Sequence, residues 1–152
     1  MTKEAVSYLQ KLVTTMNTQA TYHQMQARIF GALGFSKLET KYDGHAEEER
    51  DFMNQFINRI LDLGGELKME VGQSEPLFQN PIDYLKHDLD LSREGFAFLK
   101  ANNLFEDFKT DYATYDLLKA YYKDEEEDML WTEAQLDLIE LIGVQNWLTQ
   151  QL

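Results

Sequence analysis

Residues 66 to 79, ELKMEVGQSEPLFQ, show no sustained hydrophobic period and hold Gly72 and Pro76. They read as a loop between two helices. A structureless stretch of that length is uncommon in a compact domain and demands a reason. The segment before it supplies one. Leu38, Tyr42, His45, Glu49, Phe52, Phe56, then Arg59 or Ile60, and Leu63 recur at helical spacing as far as Gly64-Gly65. That is a helix of about 28 residues, about 42 Å long at about 1.5 Å per residue. A link of about 15 residues stretches to roughly 50 Å, enough to traverse the whole helix and start the next one from the same end. The second and third long helices are then parallel.

The other helices follow from the same periodicity. Leu9, Val13, Met16, Ala20, His23, Ala27 and Phe30 alternate steps of four and three, an inward seam over about Lys3 to Ala32. Gly31-Ala32-Leu33-Gly34 ends it with a left-handed glycine. Ser36 with Glu39 three residues on reads as a capping box opening the second helix. Asn80-Pro81 reads as an N-cap followed by proline at the first helical position. The third seam is Leu85, Leu89, Ser92, Phe96 and Leu99, ending near Asn102-Asn103. A fourth, from Phe105 or Asp107 to Ile142, carries Phe108, Tyr112, Tyr115, Leu118, Tyr122, Glu125, Met129, Thr132, Leu136 and Ile139. Gly143 stops it, and residues 144–152 form a short fifth helix. The expectation is an all-α fold with one domain over 1–152, a four-helix bundle with a full-length crossover between helices two and three.

Composition removes several classes of function. The chain has 152 residues, no cysteine, and a net charge of −13 from 27 acids and 14 bases. Disulfides, thiolate zinc sites and thiol nucleophiles are thereby excluded. A nucleic-acid binder needs a basic face, which this balance does not offer. A cationic partner such as a metal ion suits it. No run approaches the roughly 18 apolar residues of a membrane span, and Met1-Thr2-Lys3-Glu4 opens no signal peptide, so a cytoplasmic location is expected. Glycine-rich phosphate loops, HExxH, GxSxG and a Ser-His-Asp arrangement are missing as well.

What interrupts the seams carries the chemistry. His23, His45, Glu49, Ser92 and Glu125 stand where the periodicity assigns core, and Asp128 lies one turn beyond Glu125 on the same face. A buried carboxylate must be paired, protonated or metal-bound. Carboxylates from two facing helices plus an imidazole form a ligand set for iron, manganese or zinc. The plainer alternative is a specific charge pair at Glu49 and Glu125 and a hydrogen-bonded core histidine at His23. Glu47-Glu48 and Glu126-Glu127 read as solvated faces. His45 reads as lying near the bundle end and reaching solvent, and His87, off the seam, is assigned no role.

These residues resemble the bacterioferritins of the ferritin-like superfamily. KDEEEDMLWTEAQLDLIELIGVQNWL, Lys123 to Leu148, is similar to the family's fourth-helix pattern. Ser7-Tyr8-Leu9, Ala27-Arg28-Ile29-Phe30 and Arg59-Ile60-Leu61 match its first two helices. The likeness covers nearly the whole chain, crossover included. It implies a ferritin-like bundle and a symmetric cage for iron storage, a homo-oligomer or one shared with a second ferritin-like subunit.

The family's di-iron ligands carry over only in part. Its glutamate on the first helix corresponds to Met16, its Glu-x-x-His on the second to Glu49 and Phe52, its glutamate on the third to Ser92, and its Glu-x-x-His on the fourth to Glu125 and Asp128. His23 stands where the family has a tyrosine. Arg50 replaces the methionine that binds haem, so no haem is expected. The resemblance thus implies a metal set of Glu49, Glu125, Asp128 and His23, enough for one divalent ion and too few for two, and a weakened or absent ferroxidase centre. The rival expectation is a ferritin-like structural or interaction module without metal, in which these acids pair with His23 or Arg50.

Overall fold

The structure, a computed structural model, describes residues 3–152. Met1 and Thr2, part of the opening read for a signal peptide, lie outside them. Helices α1 (Lys3–Ala32) and α2 (Ser36–Asp62) are joined by three residues and pack along each other. Gly34, at φ +94°, makes that reversal, with Phe35 N–H donating to the Phe30 carbonyl at 2.9 Å. An L side chain strains at such a φ, and glycine does not. The expected capping box is absent. Phe35 is the N-cap and offers no side-chain acceptor. Ser36 is already helical, and Glu39 turns across to Arg28 of α1 at 3.4 Å.

The crossover is pinned to α1 at three levels. Gln10 holds Lys68 by both its amide atoms, accepting from the backbone N–H at 3.0 Å and donating to the carbonyl at 2.8 Å. Gly72 lies so close to Thr18 that a Cβ would collide with its hydroxyl. Gln26, fully buried, holds the Phe78 backbone in the same two-handed way at 3.0 and 2.7 Å. As α1 climbs from residue 10 to 26, about 24 Å, the crossover climbs beside it. Helix α3 (Pro81–Ala101) therefore starts at the end where α2 started, and the two run parallel. Asn80 caps it with Oδ1 on Ile82 N–H at 2.9 Å and Asp83 N–H at 3.4 Å.

The fourth seam differs from expectation at its start. A separate turn, α4 (Leu104–Asp107), precedes α5 (Tyr112–Ile142). Asp111 caps α5 on Thr114 N–H and is held by Arg59 at 2.9 Å. This break resets the phase. Thr114, Leu118 and Tyr121 face inward, while Tyr112 is 76% exposed and Tyr122 also reaches the surface. Phe108 is core, but as the C-cap of α4. α6 (Val144–Thr149) closes the end of the bundle with Trp147, fully buried and donating to Gln135 at 2.8 Å. Among the described residues no helix is long and apolar enough to cross a membrane.

Among the described residues the bundle holds two apolar clusters rather than one. The first gathers Leu9, Leu12, Met16, Phe56, Ile60 and Leu118. The second gathers Phe30, Leu38, Tyr42, Tyr84, Leu85 and Trp147. Between them lies a belt of polar side chains. Removing one partner of a buried backbone pair strands the other, at about 1–3 kcal/mol. Gln26→Ala is therefore expected to destabilise the protein by about that much, read as a lower denaturation midpoint, and to expose the 66–79 segment to protease. An unchanged midpoint would show that the crossover is held elsewhere.

Candidate metal centre

His23, on the seam of α1, occupies the middle of the belt. Both of its ring nitrogens meet carboxylates: Nδ1 contacts Glu49 Oε1 of α2, and Nε2 lies 2.8 Å from Asp88 Oδ1 of α3. All three are at least nine-tenths buried. Only a protonated imidazole has two N–H donors. Burial opposes the charge, yet Glu49 and Asp88 outweigh it and hold His23 well above its ordinary pKa. A carboxylate at about 4 Å contributes about 4 kcal/mol at an effective dielectric near 20. Two of them exceed the several kcal/mol that desolvating one ion costs.

Glu49, Glu125, Asp128 and His23 all line one cavity of about 270 Å³, together with His45, Asp88, Ser92 and Met16. Glu49 and Glu125 thus both face the interior. Burial, then the charges of Glu49 and Asp128, push Glu125 well above the usual carboxylate range. Burial likewise raises Glu49 against the pull of His23, and raises Asp128 to about 7, with help from Asp124 and Glu48. Met16 is buried in the first apolar cluster and Phe52 packs against it, its ring 5.6 Å from Tyr121. Arg50 does not pair with these acids. It reaches back to α1, to Thr21 Oγ1 at 3.2 Å and Asn17 Oδ1 at 3.4 Å.

Two expectations are corrected. His45 does not reach solvent: it is 5% exposed and sits beside His23, ring centroids 5.7 Å apart. Burial and the neighbouring charge of His23 lower its pKa to about 3, so the ring is neutral. Glu48 is exposed, but it is more than a solvated acid, because its carboxylate joins those of Asp124 and Asp128, with ligand atoms within 4.8 Å of one another. Asp88 is the partner that the Leu85–Leu89–Ser92 row misses. It stands four residues after Tyr84 and four before Ser92, on the inward face beside that row, and this spacing is its signal in the sequence. His87, left without a role, pairs with Glu75 of the crossover at 2.9 Å.

A family description, ferritin-like domain, matches residues 7–142. The chain belongs to the ferritin-like family. Bacterial ferritin of Neisseria meningitidis serogroup B is 34% identical to it over 148 residues, 97% of this chain and 96% of the relative. That of Pseudomonas aeruginosa is 34% identical over 151 residues, 98% and 97%. A bacterioferritin of Brucella melitensis is 27% identical over 120 residues, 79% and 74%. The resemblance read from the seams and the fourth-helix pattern is thus a family relationship. It extends through the crossover, which separates this ferritin-like bundle from a simple up-and-down one.

Carboxyls held above their unfolded values carry a penalty that is absent below about pH 4 and grows as pH rises through the folded values. The His23 charge adds stability that is complete below its unfolded value of about 6.5 and is lost as pH rises from there to its raised folded value. Both effects favour mild acid. The metal-free protein is expected to melt higher at pH 5.5 than at pH 8 by scanning calorimetry. Glu125→Gln should raise the pH 8 midpoint and leave that at pH 4 unchanged, and an unmoved pH 8 midpoint would place Glu125 in solvent. His23→Gln, which strips the charge from between two buried carboxylates, is expected to cost about 3–5 kcal/mol.

Proposed function

We propose that the chain is an iron-binding subunit of a ferritin-like storage cage whose own di-iron centre is disabled, a protonated imidazole taking the place of a cation there. One observation carries this reading. His23 engages Glu49 and Asp88 with its two ring nitrogens at the level of the belt where the family's ligand positions fall. Met16 and Phe52 add hydrocarbon at two of those positions, and Ser92 offers a hydroxyl at a third. Two ferrous ions bridged by carboxylates need terminal ligands on each side. The residues present do not fit that pair. Iron is then cargo for the assembly, drawn by a net charge of −13 and oxidised slowly or by a second, ferroxidase-competent subunit.

The relatives named bacterial ferritin and bacterioferritin support the storage role, and a cytoplasmic location follows from that role. The rival, a ferritin-like module without metal, draws on the same clamp, since His23 neutralises buried carboxylates unaided. Two measurements separate them. Light scattering on purified protein is expected to give a symmetric multiple of the 17.8 kDa chain, and a clean monomer would remove the cage. Aerobic ferrous titration is expected to show oxidation at least tenfold slower than in a ferritin with complete ligands. Equal rates would overturn the disabled centre. Retention of no iron after a ferrous soak would favour the metal-free module.

A further inference from the structure

The cavity that reaches His23 is not sealed inside the core. It runs outward between α1 and α3, beside the crossover, to a mouth framed by Thr15 of α1, Gln73 of the crossover, and Glu94 and Gly95 of α3, all exposed. A Cβ on Gly95 would meet nothing within 4 Å, so α3 leaves that mouth open. The volume of about 270 Å³ lies just below the roughly 300 Å³ at which ordinary ligand sites begin, which limits a guest to a small molecule.

The wall has two characters. Leu12 and Met16 of α1 and Leu91 and Phe98 of α3 make its flanks hydrocarbon, while carboxylates stand at both ends, Glu125 of α5 at the far end and Glu94 at the mouth. Among the described residues no lysine or arginine lines it. At the far end two groups lack partners. Glu125 makes no hydrogen bond or ion pair among the described residues. His45 is 5% exposed, lines the same cavity, and has an Nε2 without a hydrogen-bond partner. A neutral imidazole in its Nδ1–H form accepts at that nitrogen. Two acceptors withdrawn from water call for a donor that carries positive charge. A metal ion would leave the hydrocarbon flanks unused, because it takes oxygen and nitrogen ligands all round. A primary ammonium on an aliphatic stem uses both, its three N–H donors for the acceptors and its methylenes for the flanks.

We propose that this cavity binds a small linear aliphatic diamine, one ammonium held by Glu125 and the Nε2 of His45, the other by Glu94 at the mouth, and the chain against Met16, Leu91 and Phe98. The site goes beyond iron storage and needs no cage. It rests on the preceding reading in one respect, since a centre filled with iron would occupy Glu125.

The test uses full-length protein stripped of metal with a chelator and titrated calorimetrically with 1,5-diaminopentane and, separately, 1-aminopentane. Salt at about 150 mM screens the surface charges. One diamine per chain is expected, bound at least tenfold more tightly than the monoamine. Glu125→Gln should raise Kd at least tenfold for both amines, and Glu94→Gln should raise it for the diamine alone. Gly95→Leu should weaken both by narrowing the mouth, with circular dichroism confirming the fold. Glu127→Gln, an exposed acid outside the cavity, should change Kd less than twofold. No binding, equal affinity for the two amines, or a Kd unmoved by Glu125→Gln or Gly95→Leu overturns the site. Ferrous titration of the unaltered protein separates the two readings. Slow oxidation without amine binding overturns the amine site alone, and fast oxidation overturns the disabled centre whatever the amine does.

Discussion

A positive charge confined between two buried carboxylates organises the interior of this bundle. Without the His23 proton, Glu49 and Asp88 would face each other across a belt with little water, each carrying a desolvation cost of several kcal/mol. With it, three helices are tied at one level: α1 through His23, α2 through Glu49 and α3 through Asp88. An ion bridging facing helices would impose the same constraint, so the scaffold is kept while the occupant changes. Such a clamp adds specificity of register more than net energy, because a hydrophobic substitute of the same shape avoids the desolvation altogether.

The two apolar clusters owe their separation to this belt. Met16 and Phe52 extend the first cluster up to its lower edge, and Tyr42 and Tyr84 bring the second down to the other, their rings 4.9 Å apart. The neutrality of His45 follows from its burial first and then from the charge of His23 beside it. Burial, then the charges of Asp124 and Glu48, raises Asp128 to about 7. Burial and the His23 charge thus act together on the groups beside it, and the crossover pinned by Gln10 and Gln26 runs along α1 next to them.

Most of the architecture was legible because it depends on period and length. Every seam residue chosen on α1, from Leu9 to Phe30, is buried, and the loop over 66–79 is the crossover its length required. Reading failed where phase, not period, decides. Around Phe108 to Asp111 the helix breaks and restarts, so a seam carried through the break put Tyr112 and Tyr122 inside when Thr114 and Tyr121 are. On α3 a single row of residues led to Ser92 and passed over Asp88, because a helix buries a stripe about two rows wide. Tertiary pairing is the other blind spot. The sequence puts His23 and Glu49 on inward faces, but a clamp on both ring nitrogens exists only once α3 is docked. The nearness of Glu48 to Asp124 and Asp128 was hidden by its own exposure, since an acid run on a surface looks the same with or without facing acids on the next helix.

Nitrogen-15 NMR of the histidine rings in metal-free protein, with His23 assigned by its loss in His23→Gln, reads the controlling charge directly. At pH 7.5 His23 is expected to show both ring nitrogens protonated while His45 shows a neutral ring. A neutral, singly protonated His23 at that pH would mean that no cation stands between Glu49 and Asp88, and the account of the centre would fail with it.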